Sequence, residues 1–216
     1  MLQSGKKVLL RSAASIIPVL LGMERKPLLK SIDFQSEHAG GILVLVGSYV
    51  PKTTVQLQQL KEVGTLNQFE VDVERVLSEG EKMLTEYKVK INQCIKTGDD
   101  VLVYTSRKLV AANDPLRSLE IGNKVSAFLT ALVQGLSYRP KCVLAKGGIT
   151  SSDTATKGLG VKKAMVIGQV EPGIPVWKLG QESKFPGMNY VILPGNVGDD
   201  NSLQHVYAIV KGEVDI

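Results

Sequence analysis

The apolar positions of this chain fall into short continuous runs, separated by stretches in which they recur every three or four residues. Gly41-Ile-Leu-Val-Leu-Val46 is a run of the first kind, bracketed by Gly40 and by Gly47-Ser48, and it predicts a strand buried on both faces. Thr53 to about Val63 reads as a helix, with Leu57 and Leu60 on one face and Pro51 just ahead of its start. Phe69 to Val73 reads as a short strand. Leu77 to about Ile95 reads as an amphipathic helix with Leu77, Met83 or Leu84, and Ile91 inward. Asp100-Val-Leu-Val-Tyr104 is a third strand, and Leu116 to Leu136 a long helix stopped by Gly135 and then Pro140. Cys142-Val-Leu-Ala145 is a fourth strand, and Thr150 to about Leu159 a short helix closed by Gly158 and Gly160. At the amino end, residues 6–22 read as a helix packed on the domain.

From residue 161 the pattern changes. Ala164 to Gln169, Val176-Trp177 and Tyr190 to Leu193 are short apolar runs divided by Pro and Gly, which predicts a strand-rich, partly antiparallel tail. Strands alternating with helices before it predict an α/β fold: a largely parallel, mixed sheet flanked by helices, built as one domain over residues 1–216. Such sheets bind ligands beyond the carboxyl ends of their strands. Three turns fall there: Gly47-Ser48, Gly147-Gly148 and Gly195-Asn196.

Composition narrows the function classes. An apolar fraction of 44% over 216 residues is enough for a substantial core. The net charge of +5 is spread without runs of like charge, and basic residues do not interleave with aromatics, so nucleic acid is not expected as a partner. Cys94 and Cys142 share no CxxC pattern, and with only His38 and His205 beside them no zinc site is expected. The run from Val8 to Leu21 resembles an export signal, but Arg11 breaks it and Ser12 and Ser15 dilute it. It is also too short to span a membrane, so a cytoplasmic protein is expected.

The turns carry the candidate chemistry. Lys146-Gly-Gly-Ile-Thr-Ser-Ser-Asp153 follows a strand with bare backbone N–H groups and then hydroxyls, which suits a phosphate, and the positive end of the next helix would add to it. Asp153 is the local candidate for a magnesium contact through water. The same residues also make an ordinary helix start, in which Thr150 to Ser152 and the following acid satisfy the first N–H groups. In Gly47-Ser-Tyr-Val-Pro-Lys-Thr-Thr54, Ser48 is placed to meet a phosphate or ribose, with Lys52 or Thr53 beside it; alternatively Thr53 caps the next helix. Asn196 in Pro194-Gly-Asn-Val-Gly198 is either a ligand contact or a left-handed turn residue, and Asp199-Asp200 reads as a solvated turn. Tyr104-Thr-Ser-Arg107, at a strand end, is a candidate polar contributor, although Arg107 reads better as a surface ion-pair partner. Neither GxxxxGK[ST] nor GxGxxG occurs, which excludes a P-loop NTPase and disfavours a Rossmann dehydrogenase.

Leu10-Arg-Ser-Ala-Ala-Ser15, Val46-Gly-Ser-Tyr-Val-Pro-Lys-Thr-Thr-Val-Gln56, Lys146 to Asp153, Gly173-Ile-Pro-Val-Trp177 and Pro194 to Gly198 occur in that order. Together they resemble the carboxyl-terminal, nucleotide-binding domain of the four-carbon acid sugar kinases, over nearly the whole chain. The resemblance implies ATP as ligand, with magnesium, and cofactor contacts at Ser48, Gly147, Gly148, Ile149, Thr150 and Gly195. It implies phosphorylation of acid sugars, and GGITSSD with PGNVG fits the threonate or erythronate branch better than the oxo-tetronate branch. Family enzymes are about twice as long and hold the sugar on an amino-terminal, Asp-rich domain that has no counterpart here. The chain is therefore expected to bind ATP or ADP without phosphorylating sugar alone, and to expose an apolar face that favours a homodimer. A non-catalytic nucleotide-binding or assembly module is the alternative. A coenzyme-binding domain of another kind is a third reading, which binding of NAD at least as tight as ATP would support.

Overall fold

The computed structural model describes residues 16–24, 26–107 and 115–214, together with residues 5, 7, 9 and 11. Seven strands form one sheet: β1 (Leu43–Val46), β2 (Asn67–Val71), β3 (Val101–Thr105), β4 (Cys142–Lys146), β5 (Ala164–Glu171), β6 (Ile174–Leu179) and β7 (Asn189–Leu193), in the order β2-β3-β1-β4-β7-β6-β5. The first five in that order run parallel, and β6 is antiparallel to both β7 and β5. The helices among the described residues are α1 (Ile16–Leu20), α2 (Pro51–Glu62), α3 (Val73–Thr97), α4 (Pro115–Gln134), α5 (Gly148–Asp153, continued by a π turn over Thr154–Gly158) and α6 (Ser202–Lys211), with a 3-10 turn at Ser31–Phe34. The expected α/β architecture is present.

The period-two geometry of a strand sends alternate side chains to opposite faces, and both faces are covered here. Leu43, Leu45, Val101, Val103, Val143 and Ala145 pack with α3 and α4. Val44, Val46, Leu102, Leu144, Val191 and Leu193 pack with α2 and α6. That is why β1, β3 and β4 are continuously apolar and every residue in them is buried, Lys146 included. The consequence for function is directional. Neighbouring β1 and β4 lead into helices on opposite faces, α2 and α5, which opens a crevice between their carboxyl ends.

Several expected elements are corrected in detail. Of the helix expected over residues 6–22, the described residues are helical at Ile16–Leu20, where none is buried; residues 6, 8, 10 and 12–15 lie outside the described residues. β2 ends at Val71, because Asp72 caps α3 through a bond from Arg75 N at 3.0 Å. α3 breaks at Glu79 (φ −133°), and its buried stripe is Val73, Val76, Met83, Ile91 and Ile95. Leu77 falls off that stripe and faces outward. The carboxyl-terminal part is strand-rich and partly antiparallel, as expected. It also holds α6, whose Leu203, Val206, Tyr207 and Val210 cover the sheet.

Candidate functional site

The turns after β1, β4 and β7 are brought together at one edge of the sheet by strand pairing. Gly47 N donates to Lys146 O at 3.2 Å and Gly147 N to Leu193 O at 2.8 Å, so the ladder continues into the turns themselves. Around Ser48 the three turns approach more closely than side chains would permit. A Cβ on Gly47 would collide with Thr150 Oγ1. One on Gly147 would lie 2.9 Å from Ser48 Cβ, and one on Gly195 would lie 2.8 Å from Ser48 Oγ. Gly147 also has φ +117°, which L-residues avoid. These glycines are where they are because three backbones converge.

Gly148, Ile149 and Thr150 form the first turn of α5, whose N–H groups have no partner four residues back. A Cβ on Gly148 would meet nothing within 4 Å, and the Ile149 side chain is 73% exposed. These two positions therefore border open space, and what they offer a ligand is backbone. Thr150 is buried with its hydroxyl turned toward Gly47. Ser151 Oγ reaches the carbonyls of Ala145 and Gly147, both at 2.7 Å, and so closes the turn. Thr154 Oγ1 donates to Thr150 O at 2.6 Å, and Tyr190 OH donates to Ser151 O at 2.8 Å. Burial pushes the Tyr190 hydroxyl well above its ordinary pKa, so it stays a donor.

The turn after β7 is held differently. Thr53 Oγ1 donates to Gly195 O at 2.8 Å and lies 3.3 Å from Ser48 Oγ. Lys146 Nζ donates to Pro194 O at 2.8 Å and to Val197 O at 3.4 Å, and Lys52 Nζ to Gly198 O at 2.9 Å. Gln56 Nε2 donates to Val197 O at 3.2 Å. Thr53 thus ties turns together and does not cap α2, which begins with Pro51 at its first position after Val50. Asn196 is not left-handed, since no described residue other than glycine has positive φ. Asp199 Oδ1 accepts from Asn201 N at 2.9 Å and Ser202 Oγ at 3.2 Å, an ordinary approach to α6.

Two expected roles change. Arg107 makes no ion pair among the described residues. Its guanidinium donates to Ser48 O at 2.7 Å and to Thr105 O and Oγ1 at 2.7 and 2.6 Å, and burial lowers its pKa. Asp153 is engaged within the protein: Ser126 Oγ donates to it at 2.7 Å and Lys157 Nζ pairs with it at 2.9 Å. Those bonds hold its carboxyl below the usual range. Among the described residues no group of three His, Cys, Asp or Glu side chains converges on a metal position. The donor set fits a polyphosphate, with open N–H positions, a hydroxyl at Ser48 and cations nearby. It does not fit a protein-held magnesium ion, which would have to arrive on the phosphates with its own water.

A groove of about 580 Å³ lies beside this edge, between α2 and the ends of β2 and β3, lined by Thr54, Gln58, Lys61, Glu70, Tyr104 and Arg107 among others. It is not over the glycine turns. Arg107 joins the two, because it lines the groove and bonds to Ser48. Sequence reasoning missed Lys146 and Gln56 as organisers of this edge, and offered Arg107 only as a general polar contributor at a strand end. No signal in the chain marks a lysine as buried, although its place in line with Cys142 and Leu144 put it on a covered face.

The family described as nucleotide-binding C-terminal domain matches residues 43–203, which contain all three turns. The chain belongs to this family. Among solved structures, a Haemophilus influenzae protein of the DUF1537 family is 20% identical, with a TM-score of 0.63 over 79% of this chain and 40% of that one. A Salmonella typhimurium LT2 protein, provisionally called a tRNA synthase, is 21% identical with a TM-score of 0.62, over 81% of this chain and 41% of that one. A Bordetella bronchiseptica DUF1537 protein, solved as a domain-swapped dimer with bound citrate, is 16% identical with a TM-score of 0.59, over 83% and 42%. At these identities the likeness concerns the fold. The chain spans about two fifths of the length of these structures. No curated protein matches it. Among the described residues no helix is long and apolar enough to cross a membrane.

Proposed function

We propose that this nucleotide-binding domain takes ATP with magnesium, and that it is the ATP-binding half of a kinase acting on four-carbon acid sugars of the threonate or erythronate kind. The observation that carries the reading is the convergence of three glycine turns on Ser48 at one sheet edge. Gly147, Gly148, Ile149 and Thr150 would hold phosphate through backbone N–H groups, and Ser48 and Gly195 would close the cradle from either side. ATP supplies the γ-phosphoryl group. Transfer would form a bond from a sugar hydroxyl oxygen to the γ-phosphorus and break the bond to the β–γ bridging oxygen, with ADP leaving and the hydroxyl proton passing to a base. Catalysis of this kind is mainly positioning and charge stabilisation. This chain's share is to fix the phosphates and keep water from the cradle, while the sugar and the base come from a second domain. Tyr49, Val50 and Ile149 stand exposed at the mouth of the crevice, apolar surface of the sort a second domain or a second copy would cover. A homodimer and a cytoplasmic setting, where ATP is available, belong to the same reading.

The test is calorimetry with ATP and ADP in the presence of magnesium, on the wild type and on Gly148→Trp. That Cβ points into open space, so the variant should fold while its indole fills the cradle. We expect binding by the wild type and at least a tenfold loss in the variant, worth about 1.4 kcal/mol. Unchanged affinity in the variant would remove the nucleotide from this turn. Adding a matching sugar-binding domain should then yield ATP-dependent sugar phosphorylation. Nucleotide binding without any such activity would favour a non-catalytic module.

A further inference from the structure

Three cations stand at the carboxyl edge of the sheet, and none of them has a carboxylate partner among the described ion pairs: Lys52, Lys146 and Arg107. Each is held by backbone carbonyls instead. Lys146 is the most unusual, because its relative exposure is 0%. A buried ammonium normally neutralises or finds an acid. This one is anchored on Pro194 O and Val197 O, and Lys52 is close enough to repel it. Like charges kept together, with Glu171 opposing them but in no described ion pair with either lysine, make an edge that favours an anion.

We infer that Lys146 and Lys52 are positioning residues for the nucleotide site: from below and from α2 they grip the carbonyls of the 194–198 turn, hold Gly195 against Ser48, and give the cradle its positive charge. The affinity part of this inference rests on the proposed nucleotide reading; the grip on the turn does not. Lys146 sits at the end of β4 and faces Lys52 of α2 and Glu171 of β5, with His205 of α6 paired to Glu171 at 2.7 Å. The turn's own Asp199 is engaged by Asn201 and Ser202. Burial first, and then Lys52, lower the Lys146 pKa from 10.5 to about 8, with Glu171 opposing. The grip is therefore complete at neutral pH and weakens as pH rises above about 8.

Amide hydrogen exchange over residues 194–199 of the full chain, without nucleotide, reads the grip directly. At pH 7 Lys146→Met should exchange about tenfold faster there than wild type, as expected for losing charged hydrogen bonds. At pH 9 the difference should narrow, because the neutral amine donates weaker hydrogen bonds than the ammonium. Lys52→Gln removes the like charge, so the pH at which the wild-type protection fades should move upward in that variant. Lys52 is only partly buried, so its variant serves if the Met variant does not fold. Calorimetry adds the second readout: ATP affinity should fall between pH 7 and 9 in wild type and stay flat in Lys146→Met. Equal exchange in wild type and variants at pH 7, or no pH response, overturns the positioning role. A normal exchange response with no ATP binding at any pH overturns the nucleotide reading and the affinity half alone.

Discussion

The turn after β4 and the turn after β7 face each other across Ser48, yet they are fixed by different chemistry. The first is held by neutral donors: Ser151, Thr154 and Tyr190, each bonded to a carbonyl of the turn, of β4 or of α5. Its geometry also depends on Gly147 at φ +117°. The second is held by Thr53, Gln56 and two ammonium groups. Neutral bonds, made within the segment and from Tyr190 of β7, give a turn indifferent to pH. Bonds from lysines on other elements give a turn whose position depends on charge and on the packing of α2. One wall of the crevice is thus built in, and the other is adjustable.

Breaking the fixed wall should cost most. Gly147→Val places a β-branched side chain at a positive φ and against Ser48, so about 3 kcal/mol or more of stability should be lost in denaturant unfolding. A loss under 1 kcal/mol would mean the β4 turn is as adjustable as its partner. Tyr190→Phe comes next. It strips one hydroxyl from a buried network, removing its bonds to Ser151 O and Thr154 Oγ1, at a cost of about 1–3 kcal/mol that should be the same at pH 7 and pH 9. A pH-dependent cost would erase the contrast between the turns.

The smallest effect sharpens the contrast through its sign. The folded-state pKa of Lys146 lies below its unfolded value of 10.5, at about 8. Between these the unfolded chain binds more protons, so stability should rise with pH, by no more than about 1.4 kcal/mol per pH unit. Below about 8 both states are charged and the burial cost is borne in full. Measured as wild type minus Lys146→Met, this slope should be positive from pH 8 to 10, while the grip on the turn declines over the same range. A flat difference would show that the lysine is not titrating in that window.

Much of the frame was legible along the chain. Continuous apolar runs marked β1, β3 and β4, because strands covered on both faces have no polar positions to alternate with. The glycine turns marked the ends of β1, β4 and β7. α6 was missed, although Leu203, Val206, Tyr207 and Val210 keep helical spacing and Gly212 follows at φ +96°. Short apolar runs before it gave a strand-like context that outweighed the period. The candidate residues Ser48, Gly147 to Thr150 and Gly195 do come together, but the hydroxyls of Thr150 and Ser151 turn inward. Whether a hydroxyl faces a ligand or its own backbone depends on carbonyls that lie far away in sequence or across the turn.

The sequence alone determined the α/β class, the strand–turn–helix units and the positions where the backbone is bare. These follow from periodicity and from the conformational freedom of glycine, which are local properties. Only the tertiary structure decided that three turns meet at Ser48, that Lys146 is buried under the last of them, and that Arg107 and Asp153 have partners other than those expected. These depend on strand order and on which face each helix covers, and burial then sets which charges find carbonyls and which find acids.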